Sequence, residues 1–186
     1  LDAAKRKGLT TSCDCNYRSK LWGTEEASRV LTRLLKQVDV FVGGVEDARK
    51  LFGVDVPEQL RDDENATAEH AAQRLWEVFG FSWVAMTLRS GESASVNRYA
   101  GMVCSAQGCA FSRDYEIQIV DRVGAGDAFM AGLVHQILSG ADPAQTVEFA
   151  TAAGCLKHTI PGDLNLVSVQ EVTHLLEGGQ AGRVQR

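Results

Sequence analysis

Residues 24–37, TEEASRVLTRLLKQ, set Val30, Leu31, Leu34 and Leu35 on one stripe at helical spacing. Acids fill the first turn and Thr24 is placed to cap it, so the spacing predicts an amphipathic helix. A short apolar run at 38–42, VDVFV, predicts a strand, and VEDARKLFG at 45–53 a short helix closing at Gly53. A polar stretch at 62–70 leads into a helix through about Phe79, followed by a strand in SWVAMTL at 82–88. From Arg89 to Tyr115 the chain is rich in Gly and Ser with short β-like pieces, the pattern of a hairpin. A β-like run, Ile117–Val120, precedes a helical segment to about Leu138. The segment 142–159 carries Pro143 where a first helical residue belongs, and a last helix is predicted over 168–176. The tail after Gly178 reads as frayed. Upstream, LDAAKRKG reads as the last turns of a helix with Gly8 at its end, and LTTSCDCN as a short buried strand with a polar exit.

Strands alternating with helices predict an α/β fold: a mainly parallel sheet with helices on both faces. In such sheets ligands bind at the carboxyl ends of strands, so the residues just after strands carry the candidate chemistry.

Composition changes this picture little. The hydrophobic share is 45% and the charged share 23%, as in an ordinary globular domain. The net charge of −5 argues against a broad nucleic-acid surface. No apolar run reaches the roughly 18 residues that a membrane span needs. The five cysteines, with no CxxC pair, argue against a disulfide framework or a zinc site and are expected to be buried free thiols. A cytoplasmic location is the expectation.

The stretch IVDRVGAGDAFMAGL, residues 119–133, holds the sharpest signal. Gly124, Ala125 and Gly126 follow a strand and open a helix, where unpaired N–H groups and the helix dipole suit an anion. Small residues let a phosphate come close to the backbone. Asp127 then stands beside that anion. A carboxylate there is electrostatically poor unless it has a task, and taking the proton of an attacking hydroxyl is one. The bland alternative is that Asp127 only complements the dipole, worth about 0.5 kcal/mol. A Rossmann fingerprint fails at Phe129, and no Gly-Lys-Ser/Thr of a Walker A loop follows.

DRVGAGDAFMAG resembles the C-terminal signature of the ribokinase-like (PfkB) carbohydrate kinases. CDCNYRSKLW (13–22), MTLRSGESAS (86–95) and LKHTIPGDLNLVS (156–168) resemble three further family segments, in the same order. Tyr-Arg-x-x-Leu-Trp, Asp-Arg-Val before the glycines, and Lys-His-Thr with Pro-Gly-Asp resemble 2-keto-3-deoxygluconate kinases in particular. The likeness runs from Leu1 to about Glu177 and covers the C-terminal half of a family member. It implies that residues 1–186 are the C-terminal portion of a ribokinase-like kinase domain, without the N-terminal strands and lid.

The resemblance implies roles residue by residue. Asp127 is the catalytic base, and Gly124, Ala125 and Gly126 form the anion hole. Arg18, Asp127 and Asp163 bind substrate, Arg18 offering a planar fork to a sugar-acid carboxylate. Asp14 and Asn16 share a face with Arg18 if their strand continues. Thr87 and Arg89, with Gly124 and Gly126, line the nucleotide pocket. Lys157 and His158 are divided between complementing a helix dipole and standing near the nucleotide. The family's Asn-x-x-Glu element appears as Gly44-Val45-Glu46-Asp47, leaving Asp47 to hold a metal through water. The implied cofactors are ATP and Mg²⁺, with K⁺ near the Asp121 loop left open.

The implied activity is ATP-dependent phosphotransfer to a hydroxyl of a small sugar acid, 2-keto-3-deoxygluconate in first place. Another sugar or nucleoside kinase of the same fold, or a non-catalytic nucleotide-binding remnant, stands as the alternative. The expected partners are the sugar acid and ATP, with a homo-oligomer also open and neither nucleic acid nor membrane involved.

Overall fold

The structure is a computed structural model and describes residues 1–91 and 96–178. Within these residues, each helix and strand predicted from the apolar spacing has a counterpart. The chain divides into two compact units: residues 1–86 with 102–109, and 87–101 with 110–186.

In the first unit, α1 (Asp2–Arg6) leads to β1 (Ser12–Asp14), α2 (Thr24–Leu35), β2 (Val40–Gly43), α3 (Val45–Phe52) and α4 (Glu64–Phe79). The strand β3 (Trp83–Gly91) begins here. β1, β2 and β3 lie parallel, with Cys13 opposite Phe41 and Phe41 opposite Val84. Parallel neighbours need a helical crossover, and α2 and α4 supply one each. Phe41 is the centre of an aromatic cluster. Its ring stacks on Phe81 at 5.1 Å and meets Phe52 edge-on at 6.2 Å. Helices α3 and α4 end at Gly53 and Gly80, both with left-handed backbone, as C-terminal glycines allow.

Two expectations are corrected in α2. Gly23, not Thr24, is the N-cap; the Thr24 hydroxyl instead meets the Tyr17 hydroxyl at 3.0 Å. The buried stripe is Ala27, Leu31 and Leu35, while Leu34 is exposed. Ala27 turns the apolar face one position away from where the bulkier Leu34 would put it.

The cysteine expectation is corrected as well. Cys104 and Cys109 form a disulfide across the turn between β4 (Val96–Ser105) and β5 (Gly108–Phe111). The spacing of five residues spans a hairpin turn, which faces two side chains of one strand pair toward each other. Cys13, Cys15 and Cys155 are free, and Cys15 and Cys155 are buried.

In the second unit, β4 pairs antiparallel with β6 (Tyr115–Gln118), Tyr99 opposite Tyr115. α5 (Ala125–Leu138), α6 (Pro143–Lys157) and α7 (Val169–Leu176) follow. α6 is buried along most of its length, because Ala150, Ala152, Ala153 and Gly154 let neighbours approach closely. A Cβ on Gly132 of α5 would lie 3.0 Å from the Cα of Ala150, and one on Gly154 would lie 2.4 Å from the Tyr99 hydroxyl oxygen. Asp142 caps α6 by accepting from the Gln145 N–H at 2.8 Å, with Pro143 at the predicted place. The parallel and antiparallel pairings together make a mixed α/β fold. Among the described residues no helix is long and apolar enough to cross a membrane. The tail expected to fray after Gly178 lies outside the described residues.

Candidate active site

The candidate residues fall into two groups, one in each unit. In the first, β1 stops at Asp14, and Asn16 adopts a left-handed φ of 39°. The Asn16 N–H closes a tight turn by donating to Asp14 Oδ1 at 3.1 Å. The strand therefore does not continue, and Asp14, Asn16 and Arg18 do not share a strand face. The turn presents Arg18 outward: it is exposed, and among the described residues its side chain donates only to the neighbouring Tyr17 carbonyl, at 3.2 Å. The guanidinium keeps most of its donors for another partner.

Asp47 lies in the first turn of α3 and accepts the Gly44 N–H at 3.1 Å. That bond gives it a structural task at the helix start. Burial pushes its carboxyl above the ordinary range, while Lys50 and Arg18 pull the other way. Arg18 and Asp47 thus act on each other electrostatically within this unit. Glu46, its neighbour, is committed to Arg49 and Lys50. Among the described residues no group of three or more His, Cys, Asp or Glu side chains stands ready to hold a metal ion. A partly buried carboxylate with one oxygen outside the cap bond fits a water-mediated contact to a magnesium ion carried by phosphates, and does not fit a closed cage.

The second unit holds the glycine-rich turn. Gly124 has φ 77°, a left-handed value that suits glycine. α5 starts at the next residue, and its first internal bond runs from the Ala128 N–H to the Gly124 carbonyl at 2.9 Å. The N–H groups of Gly126 and Asp127 precede that bond and so have no partner inside the helix. Asp127 is exposed and makes no hydrogen bond or ion pair with the described residues. Its carboxylate is not used to hold the helix start together.

Three ties fix this turn. The His158 carbonyl accepts from the N–H groups of Val120 and Asp121 at 2.9 and 3.1 Å. Asp121 Oδ1 accepts from Val123 N–H at 3.0 Å, and Oδ2 from Gly162 N–H at 2.8 Å. Those two bonds hold its carboxyl below the usual carboxylate range. Lys157 is wholly buried and donates to the carbonyls of Ile160 and Gly162 at 3.1 and 2.7 Å. Asp163 closes the arrangement. Its carbonyl lies 2.6 Å, and its Oδ1 3.5 Å, from the point a Cβ on Gly124 would occupy. The structure thus brings Asp163 and Lys157 to Gly124, as the sequence order alone did not require.

His158 is buried; its Nδ1 donates to the Gly154 carbonyl at 2.7 Å, and burial lowers its pKa. Its ring meets Tyr99 edge-on at 4.9 Å. Lys157 and His158 therefore point into the unit, a placement that dipole arguments at a helix end did not anticipate. Thr87 is half-buried on β3. The Arg89 guanidinium lies 5.3 Å over the Tyr99 ring. Residues 92–95, the end of the segment expected to carry the nucleotide, lie outside the described residues.

Residues 1–168 match the pfkB family carbohydrate kinases. The chain belongs to this family. It is 32% identical over 182 residues to the 2-dehydro-3-deoxygalactonokinase of Haloferax volcanii, a match that covers 98% of the chain and 52% of the relative. The 2-dehydro-3-deoxygluconokinase of Bacillus subtilis is 29% identical over 90% of the chain and 46% of its own length. Among solved structures, the 2-dehydro-3-deoxygluconokinase of Thermotoga maritima superposes with a TM-score of 0.88 and 41% identity, over 95% of the chain and 53% of that protein. The chain spans about half the length of these family members. The ribokinase-like fold expected from the glycine-rich turn is the fold found.

Proposed function

We propose that the protein transfers the terminal phosphoryl group of ATP to a hydroxyl of a small sugar acid, with 2-keto-3-deoxygluconate in first place. The observation that carries this reading is Asp127: an exposed carboxylate with no hydrogen-bond or ion-pair partner among the described residues, beside N–H groups that the start of α5 leaves without an intrahelical partner. Similarity to two kinases of 2-dehydro-3-deoxy sugar acids supports the substrate class.

In this reading Asp127 accepts the proton of the attacking hydroxyl as the oxygen closes on phosphorus. The N–H groups around Gly124, Ala125 and Gly126 face the charge that develops on the transferred phosphoryl oxygens. Asp163, beside Gly124, accepts a hydrogen bond from a second substrate hydroxyl. Arg18 grips the sugar-acid carboxylate with two parallel N–H donors. Thr87 and Arg89 contact the nucleotide. Magnesium supplies charge neutralisation on the phosphates when bound, and Asp47 holds its water shell.

The test is a coupled ADP-release assay with 2-keto-3-deoxygluconate, 2-keto-3-deoxygalactonate, fructose and a ribonucleoside. Turnover of a keto-deoxy acid well above fructose is expected. Equal turnover of fructose would move Arg18 out of the substrate role. ATP binding with no turnover of any of the four would make the protein a nucleotide-binding module.

A further inference from the structure

The ammonium of Lys157 is a built-in cation. The side chain has no exposed surface, and burying a charge of this kind is costly unless it is hydrogen-bonded. Two of its three donors go to backbone carbonyls, those of Ile160 and Gly162. A cage of backbone carbonyls is how proteins also hold a free monovalent cation. The same Gly162 donates its N–H to Asp121 Oδ2, so one peptide segment receives the ammonium on one side and the carboxylate on the other. Asp121 spends its remaining oxygen on Val123 N–H, and the positive charge of Lys157 acts on it. The lysine stem passes beneath the glycine turn, with its Cε 3.2 Å from the Cβ position of Gly124.

A potassium ion near the Asp121 loop does not fit this arrangement. Each Asp121 oxygen already takes a backbone N–H, and two carbonyls of the facing segment already take an ammonium. A second cation beside it would meet a fixed like charge at short range. We propose that Lys157 replaces a free monovalent cation in this protein: its tethered ammonium joins the 160–163 segment to the turn that opens α5, and makes phosphoryl transfer independent of potassium. Lys157 is a positioning residue here, acting through Gly124 and Asp163 rather than on the reacting atoms. The transfer part rests on the kinase reading given above; the structural part does not.

The experiment compares the protein and its Lys157→Met variant in potassium chloride and in choline chloride at equal ionic strength. Two readouts are taken: the melting temperature and the rate of ADP release. The unsubstituted protein is expected to melt at the same temperature and to turn over at the same rate in both salts. Lys157→Met is expected to melt lower, because two carbonyls lose their donor, and to recover melting temperature and rate on adding potassium or ammonium ions. A potassium-specific rise of more than about 3 °C in the unsubstituted protein, the size expected when a resident ion binds only the folded state, would overturn the proposal. So would a rate increase of about tenfold or more, equivalent to one decade of barrier. Should Lys157→Met not fold, the melting comparison on the unsubstituted protein still decides. Should no substrate be turned over, the kinase reading fails while the melting comparison keeps its meaning.

Discussion

The Asp163 carbonyl oxygen stands 2.6 Å from the point where a Cβ on Gly124 would be. These residues are far apart in sequence, yet their contact sets the geometry of the turn that opens α5. Gly124 is held from both sides, since its backbone is also left-handed at φ 77°. Glycine is required there by shape as well as by torsion.

Gly124→Ala should therefore cost more than the usual left-handed penalty. A non-glycine residue held in that region costs about 1–3 kcal/mol, and here the Asp163 carbonyl must also move. The expected outcome is a lower melting temperature together with a large loss of phosphoryl transfer. Gly126→Ala is the control: it has open space around its Cβ position and ordinary helical torsion. It should melt within about 1 kcal/mol of the parent, as Gly-to-Ala changes inside helices do. Equal melting temperatures for Gly124→Ala and the parent would show that the contact with Asp163 is not a constraint.

Arg18→Lys should separate substrate from nucleotide. Lysine keeps the charge but loses the two-pronged fork. KM for the sugar acid should rise by about tenfold, one hydrogen bond to a charged group. KM for ATP should hold. The exposed position of Arg18 predicts an unchanged melting temperature. A rise in KM for ATP instead would place Arg18 on the phosphate side.

His158 gives the stability a pH dependence. Its pKa in the folded chain lies below the ordinary histidine value of about 6.5, chiefly through burial. The unfolded chain therefore binds more protons than the folded one between the two values. The stabilising contribution is complete above about pH 6.5 and is lost as pH falls below it toward the folded pKa. Arg89, Arg122 and Lys157 all oppose the charged form, while the Gly154 carbonyl favours it. Thermal melts at about pH 7.5 and pH 5.5 should show a drop that shrinks in His158→Phe. An identical drop in the variant would assign the acid sensitivity to other groups.

The apolar spacing made most elements readable. Gly53 and Gly80 marked the ends of α3 and α4, and Pro143 marked the first turn of α6, because each is punctuation with a local cause. What could not be read depends on contacts between distant segments. Thr24 has good cap chemistry, but the Tyr17 hydroxyl meets its oxygen, and Gly23 takes the cap position. Asn16 bends the chain after β1, so an alternation argument beyond Asp14 had no strand to stand on. Cys104 and Cys109 meet only because β4 and β5 pair across their turn. At the candidate site, the helix start at Gly124 to Asp127 was legible from its order alone. The role of Lys157 was not, since nothing local says that a lysine at a helix end turns inward to the carbonyls of Ile160 and Gly162.

The central claim is that Asp127 takes the proton of the attacking hydroxyl, and Asp127→Asn tests it most directly. The amide keeps the size and hydrogen-bonding capacity of the carboxylate but is no base. General base catalysis is worth about 10²–10⁴ in rate, so kcat should fall by that factor, on the order of 3–5 kcal/mol of barrier. The melting temperature should hold to within the small dipole contribution of about 0.5 kcal/mol, because the side chain has no partner among the described residues. The measurement is kcat and melting temperature side by side for the protein and Asp127→Asn. A kcat reduced at least a hundredfold at equal stability is the predicted result. A near-normal kcat with a lowered melting temperature would contradict it, and would leave Asp127 as an acid that merely complements the start of α5.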